Sequence, residues 1–165
     1  KFPLNLMEVG FINRIFPEIK FILALRHPCD VVLSCFMTDF KMNEGMINFL
    51  ELENSLIFYD KIFSLWKHYT QALNFNYHTI KYEELIYDFD NQVKLILNFL
   101  GLEWEDEIKN FQRTAQKRIK INTPSYNQVI KPIYKQSINR WKQYESYINI
   151  YPKLEKWVKY FKYKN

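Results

Sequence analysis

Glycine is nearly absent: Gly10, Gly45 and Gly101 are the only three in 165 residues. A loop that wraps a phosphate in successive backbone N–H groups needs several glycines close together. Neither a Walker A loop nor a dinucleotide-binding Gly-x-Gly-x-x-Gly turn can therefore be written here. Cysteine is scarcer still. Cys29 and Cys35 stand six residues apart in what reads as one helix, where the rise alone is about 9 Å, too far for a mutual disulfide. They read as buried thiols, and no clustered ligand spacing accompanies them to suggest a metal. No apolar run approaches the length of a membrane span, and no secretory signal is written in these residues. The chain opens at Lys1 rather than Met, so that last absence says little about compartment.

What is present is a large apolar and aromatic share, 48% and 18% of residues, ample for the core of one domain. Charge is unevenly spread. Residues 113–165 carry 13 Lys and Arg against two acids, Glu145 and Glu155, a net of +11; with +5 overall, the first 112 residues are left with −6. A basic tail interleaved with Tyr, Trp and Phe is compatible with nucleic acid, a membrane surface or an acidic substrate. On the last helix, lysines on a solvated face are the simpler reading.

The chain is organised around Lys20 to Phe36. Phe21 to Leu25 is a short unbroken apolar run bounded by charge, which reads as a strand buried on both faces. Arg26 arrives where that strand ends. Pro28 suits the first position of a helix, and Asp30 in the first turn complements the helix's positive end. Ser34 follows about two turns in. A strand end facing a helix N-terminus is where open α/β sheets bind ligands, and spare N–H groups there favour anions. The arginine adds a planar fork that matches phosphate oxygens.

Other stretches supply the frame. A helix is expected from about Leu4 to Phe16, with Leu6, Val9 and Ile12 or Asn13 on one face. Between Gly45 and Leu73, Phe49, Leu52, Leu56, Tyr59, Phe63 and Trp66 recur at steps of three and four, a core-facing helical seam. Phe75 to Tyr82 alternates apolar and polar residues as a second strand, and the long helical excursion before it implies a right-handed parallel crossover. Val93, Ile96, Leu97 and Leu100 make a short amphipathic helix for which Gly101 is the C-terminal cap. A further helix is expected near Asp106–Thr114. The stretch from Thr123 to Tyr134, with Pro124 and Pro132, reads as a long and therefore functional loop. Pro152, Leu154, Trp157, Val158 and Phe161 describe a last helix. Glu83 and Glu84 read as helix N-terminal charge and surface solvation, and His68 and His78 have no ligand partners at recognisable spacing.

Several of these stretches resemble one family in the correct order, from about Lys1 to Trp141. Arg26 with Ser34, astride the strand-to-helix turn, resembles the 3′-phosphate motif of sulfotransferases that use 3′-phosphoadenosine 5′-phosphosulfate (PAPS). His27 departs from it, standing where Asp or another small polar residue is common. Lys1-Phe2-Pro3 entering a helix resembles the catalytic-lysine segment of protein-tyrosine sulfotransferases and of bacterial sulfotransferases with tetratricopeptide repeats. Tyr82-Glu83-Glu84-Leu85 after a strand and Phe99-Leu100-Gly101-Leu102 are further family features. Gln128-Val129-Ile130-Lys131-Pro132 resembles the protein-tyrosine enzymes, with Ser125 before it and Arg140-Trp141 where Lys-Trp is common.

The resemblance implies an α/β fold, a P-loop-like parallel sheet flanked by helices. It also implies that residues 1–165 are the C-terminal part of a single sulfotransferase domain whose first strand and 5′-phosphosulfate loop lie upstream. It implies sulfuryl transfer from PAPS to a hydroxyl without a metal. Lys1 and Ser125 are the implied catalytic residues; Arg26, Ser34, Tyr82, Ser125 and Arg140 are the implied nucleotide-binding residues. No general base can be named. A tyrosine in an acidic protein segment is the first-choice acceptor, and carbohydrate or small-molecule hydroxyls come second. On this reading no nucleic acid is expected as partner, the stretch alone is expected to be inactive, and the compartment would be the cytoplasm of a bacterium or the Golgi lumen of a eukaryote. The rival from another class is a non-catalytic basic module for RNA or a polyanion, carried by the tail's charge.

Overall fold

The structure, a computed structural model, describes residues 3–110 and 135–163. Lys1, Ser125 and the expected loop from Thr123 to Tyr134 lie outside them. Two strands form the sheet among the described residues: β1, Lys20–Leu25, and β2, Asn76–Lys81. They run parallel in a register from Lys20 beside Asn76 to Leu25 beside Lys81. Parallel neighbours need a crossover, and here it passes through α2, Pro28–Phe36, a 3₁₀ turn, Met46–Phe49, and α3, Leu52–Ala72. Before β1 come a 3₁₀ turn, Pro3–Glu8, and α1, Val9–Ile15. After β2 follow α4, Tyr82–Tyr87, α5, Phe89–Leu100, and 3₁₀ turns at Asp106–Asn110 and Arg140–Tyr144. The last helix is α6, Tyr151–Tyr160. The expected α/β class is what forms.

Adjacent residues on a strand point to opposite faces, and this assigns the layers. Tyr77 meets Trp66 of α3 edge to face at 5.0 Å, while His78 stacks on Phe99 of α5 at 5.5 Å. Helices α3 and α5 therefore cover opposite faces of the sheet. The core lies on the α3 side. Leu23 and Leu25 of β1 join Cys29, Val32 and Leu33 of α2, and Leu56, Tyr59, Phe63 and Trp66 of α3, with Leu154, Trp157 and Phe161 at the end of the chain.

Four expectations are corrected. β1 is not buried on both faces: Leu23 and Leu25 are buried, but Ala24 is exposed and Ile22 keeps 43% of its surface. An unbroken apolar run looks the same in either case, and only the placing of α5 over β2 separates them. The helix expected from Leu4 is a 3₁₀ turn until Glu8 and α-helical only from Val9. The long helix begins at Leu52 rather than Gly45, because Glu51 adopts extended φ/ψ and separates Phe49's 3₁₀ turn from the seam. The element near Asp106 is a 3₁₀ turn as far as Asn110, where the described residues stop. The seam itself is as expected, with Leu56, Tyr59, Phe63 and Trp66 all buried.

Gly101 ends α5 in the left-handed conformation, φ 78°, and the N–H of Leu102 returns to the Leu97 carbonyl at 2.9 Å. On α6, Leu154, Trp157 and Val158 are buried and the lysines face outward, as expected. Those lysines are not idle. Lys153 pairs with Glu53, Lys156 reaches Asp60 at 2.5 Å, and the Trp157 indole N–H donates to Asp60 at 2.7 Å. These residues of α6 thus lie against Glu53 and Asp60 of α3. Among the described residues no helix is long and apolar enough to cross a membrane.

Candidate functional site

The site lies at the C-terminal ends of the two strands, where parallel sheets place their ligands. Arg26 leaves β1, and His27, extended at φ −47° and ψ 126° as a residue before proline must be, turns the chain into α2 with Pro28 at its start. The carbonyl of His27 accepts the first helical bond, from Val31 N–H at 3.0 Å. Its own N–H donates to Glu83 Oε1 at 2.8 Å, which stitches the β1–α2 turn to the β2–α4 turn. Glu83 is therefore not surface solvation. Glu84 fits that description better, exposed and 3.3 Å from Lys81 Nζ.

The Arg26 guanidinium packs over the Tyr82 ring at 5.3 Å and donates from Nη2 to the Ser137 carbonyl at 2.5 Å. One cation thus joins the ends of both strands to a segment more than a hundred residues later. Its Nε is buried without a hydrogen-bond partner among the described residues. The same late segment is held a second time by Asp30, buried on the first turn of α2. Asp30 Oδ2 accepts the Asn139 N–H at 2.8 Å and Oδ1 the Trp141 N–H at 2.9 Å. Arg26 Nη2 stands 3.9 Å from Asp30 Oδ2. Burial pushes the Asp30 carboxyl above its usual range, against the pull of the Trp141 N–H, Arg26 and the Asn139 N–H.

His27 stacks on Trp141 with ring planes 9° apart and centroids at 5.5 Å, and meets Tyr163 edge-on at 5.2 Å. Burial, then the charges of Lys142 and Arg26, lower its pKa to about 4. It is a neutral aromatic wedge between the turn and the end of the chain. Trp141 in turn stacks on Tyr151 of α6. The two thiols are free; burial raises Cys29 to about 12 and Cys35 to about 11, which favours the protonated thiol at both.

Of the implied site residues, the structure brings Arg26 and Tyr82 into contact and joins both to the turn that carries Arg140. Ser34 is half-buried on α2, one turn beyond Asp30 and so on the same side of the helix. Its carbonyl accepts Thr38 Oγ1–H at 2.6 Å. Arg140 is exposed at the start of its 3₁₀ turn. Sequence reading missed three participants: Asp30 as an anchor, Glu83, and the Ser137 carbonyl. For Asp30 the available signal is its place four residues after Arg26; for a backbone carbonyl there is none.

An apolar cavity of about 170 Å³ opens beside Arg26, walled by Leu4, Val31, Phe49, Phe58 and Tyr59 among others. A larger hollow of about 450 Å³ runs along β1, lined by Leu6, Val9, Phe21, Ile22 and Trp66.

A parallel strand–turn–helix unit with an arginine fork at the strand end is an α/β arrangement of the kind that places ligands at its strand ends. The profile described as "Sulfotransferase family" matches residues 1–106, and the chain belongs to that family. It is also 27% identical over 149 residues to an uncharacterized protein of Aquifex aeolicus (strain VF5). That similarity covers 90% of this chain but 19% of the relative, so the chain spans about a fifth of that protein's length.

Proposed function

We propose that the protein moves a sulfuryl group from PAPS to a hydroxyl, with a protein tyrosine as first-choice acceptor and carbohydrate or small-molecule hydroxyls second. Family membership supports sulfuryl transfer. The single observation that carries the nucleotide half is Arg26, held at the strand ends against Tyr82 and the 137–141 turn with Nε still unpartnered among the described residues. The residues present fit a phosphate. A half-buried guanidinium keeps a donor in reserve, while both Asp30 oxygens and Oε1 of Glu83 are occupied by backbone N–H groups.

In this reading Arg26 and Ser34 bind the 3′-phosphate, and Tyr82 and Arg140 lie by the nucleotide. Lys1 and Ser125 stabilise the charge that grows on the leaving phosphate oxygen, a role in which a pre-placed cation or donor lowers the barrier at little reorganisation cost. PAPS supplies the activated sulfuryl group. Residues 1–165 form the C-terminal part of one domain in this reading. In this reading the cavity beside Arg26, with Phe49, Phe58 and Tyr59 in its wall, would seat the acceptor's ring.

The test has two parts, both on the full protein that contains this stretch. Calorimetry should give tighter binding of 3′-phosphoadenosine 5′-phosphate than of adenosine 5′-phosphate. Labelled sulfuryl transfer from PAPS should proceed to acidic tyrosine peptides faster than to glycans. Tight RNA binding with no nucleotide preference would overturn the reading in favour of a polyanion-binding module.

A further inference from the structure

Asp30 has no role in the reading above, yet it is the most constrained polar group at the strand ends. It retains 1% of its surface, and each carboxylate oxygen accepts a backbone N–H from the far end of the chain, at 2.8 and 2.9 Å. A carboxylate is not buried at this depth without compensation: the desolvation cost is offset only when such bonds are all made. The bonds go to Asn139 and Trp141, on either side of Arg140. Asn139 adopts the left-handed region at φ 55°, a conformation that Asn tolerates better than most non-glycine residues. That conformation lets the N–H groups of 139 and 141 point at one carboxylate. Arg26 takes the Ser137 carbonyl of the same turn.

We propose that Asp30 is a positioning residue: by clamping the 139–141 turn, it sets Arg140 beside Arg26 so that both cations address one 3′-phosphate. This rests on the nucleotide reading above. The alternative effect of Asp30 is purely electrostatic, since an anion 3.9 Å from Arg26 opposes the binding of another anion. The two effects have opposite signs, and one substitution separates them. Asp30→Asn keeps the shape, removes the charge and replaces one acceptor by an NH₂ that faces an N–H.

The experiment measures affinity for 3′-phosphoadenosine 5′-phosphate and for adenosine 5′-phosphate by calorimetry, in the full protein. If Asp30 positions the turn, Asp30→Asn weakens the 3′-phosphorylated nucleotide by about tenfold and leaves the other unchanged, the order of one charge-assisted hydrogen bond lost. A merely structural role would lower thermal stability and leave the ratio of the two affinities alone. A purely electrostatic role would raise the ratio. Either of those results overturns the proposal. A cycle with Arg140→Ala adds a second readout: the two losses are expected to be strongly non-additive, and additive losses overturn the idea.

Asn139→Val keeps the measurement available if Asp30→Asn does not fold. Asn139 is exposed, and a β-branched residue is a poor occupant of its left-handed conformation, so the turn loosens without touching Asp30. It should lower the same ratio several-fold; a ratio equal to wild type counts against the clamp. A wild-type protein with no preference for the 3′-phosphate removes the nucleotide reading and this proposal together. A wild-type preference that survives in Asp30→Asn removes the proposal alone.

Discussion

Arg26 Nη2 meets the carbonyl of Ser137 at 2.5 Å, across 111 positions of sequence. The bond fixes the plane of a guanidinium that also lies over Tyr82 at 5.3 Å, so the fork is oriented before any ligand arrives. An oriented fork loses less side-chain entropy on meeting a phosphate than a mobile lysine does.

Arg26→Ala should weaken 3′-phosphoadenosine 5′-phosphate by roughly tenfold to a hundredfold, since charge-assisted hydrogen bonds are each worth about 1.5–3 kcal/mol. Arg26→Lys should recover part of the charge but not the bidentate geometry. Titrations with adenosine 5′-phosphosulfate provide the check. An equal loss there would show that Arg26 does not read the 3′-phosphate.

His27 predicts an acid-sensitive fold. Its folded pKa, about 4, lies below the ordinary 6.5, because burial and the charges of Lys142 and Arg26 disfavour the imidazolium. Protonation therefore favours the unfolded chain. The contribution is complete above pH 6.5 and is lost as pH falls from there towards 4. Asp30 works with the opposite sign, as burial raises its carboxyl. His27→Phe preserves an aromatic ring against Trp141 and should flatten the fall in melting temperature between pH 6.5 and 4.5. Identical pH profiles for variant and wild type would show that His27 does not control it.

Asp60 carries the seating of the last helix. It accepts the Trp157 indole N–H at 2.7 Å and pairs with Lys156 at 2.5 Å, and Trp157 is buried. Asp60→Ala strands a buried donor, which costs about 1–3 kcal/mol. Most of this comes from the indole, because exposed ion pairs contribute little. Urea unfolding should show the loss, and a Trp157→Phe background should remove most of it. A full loss in that background would locate the effect elsewhere.

The strand, turn and helix around Arg26 were legible because each carries a local mark: an apolar run, a proline at the helix start, an acid in its first turn. Gly101 was legible for the same reason. The seam on α3 followed from period alone. What stayed hidden depends on partners far away in sequence. Asp30 sits where a helix-dipole carboxylate belongs, and nothing local says that its acceptors point to residues 109 and 111 positions on. Glu83 likewise looks like any first-turn acid until the His27 N–H is found 2.8 Å away. His27, an oddity in the motif, makes sense only once Trp141 lies parallel to it.

The bonds from Arg26 and Asp30 to Ser137, Asn139 and Trp141 also bear on the order of folding. Each closes a loop of about 110 residues. Closure entropy grows only slowly with length, but contacts of such separation slow the search for the native state, and helices such as α3 form from neighbours first. The core of β1, α2 and α3 should therefore assemble ahead of the strand-end cluster. In pulse-labelled hydrogen exchange, the amides of Asn139 and Trp141 should become protected after those of α3. Synthesised from the N-terminus, the chain leaves Arg26 without the Ser137 carbonyl and Asp30 without the Asn139 and Trp141 N–H groups until residue 141 has left the ribosome. The strand-end cluster around Arg26 is then among the last parts of the molecule to exist.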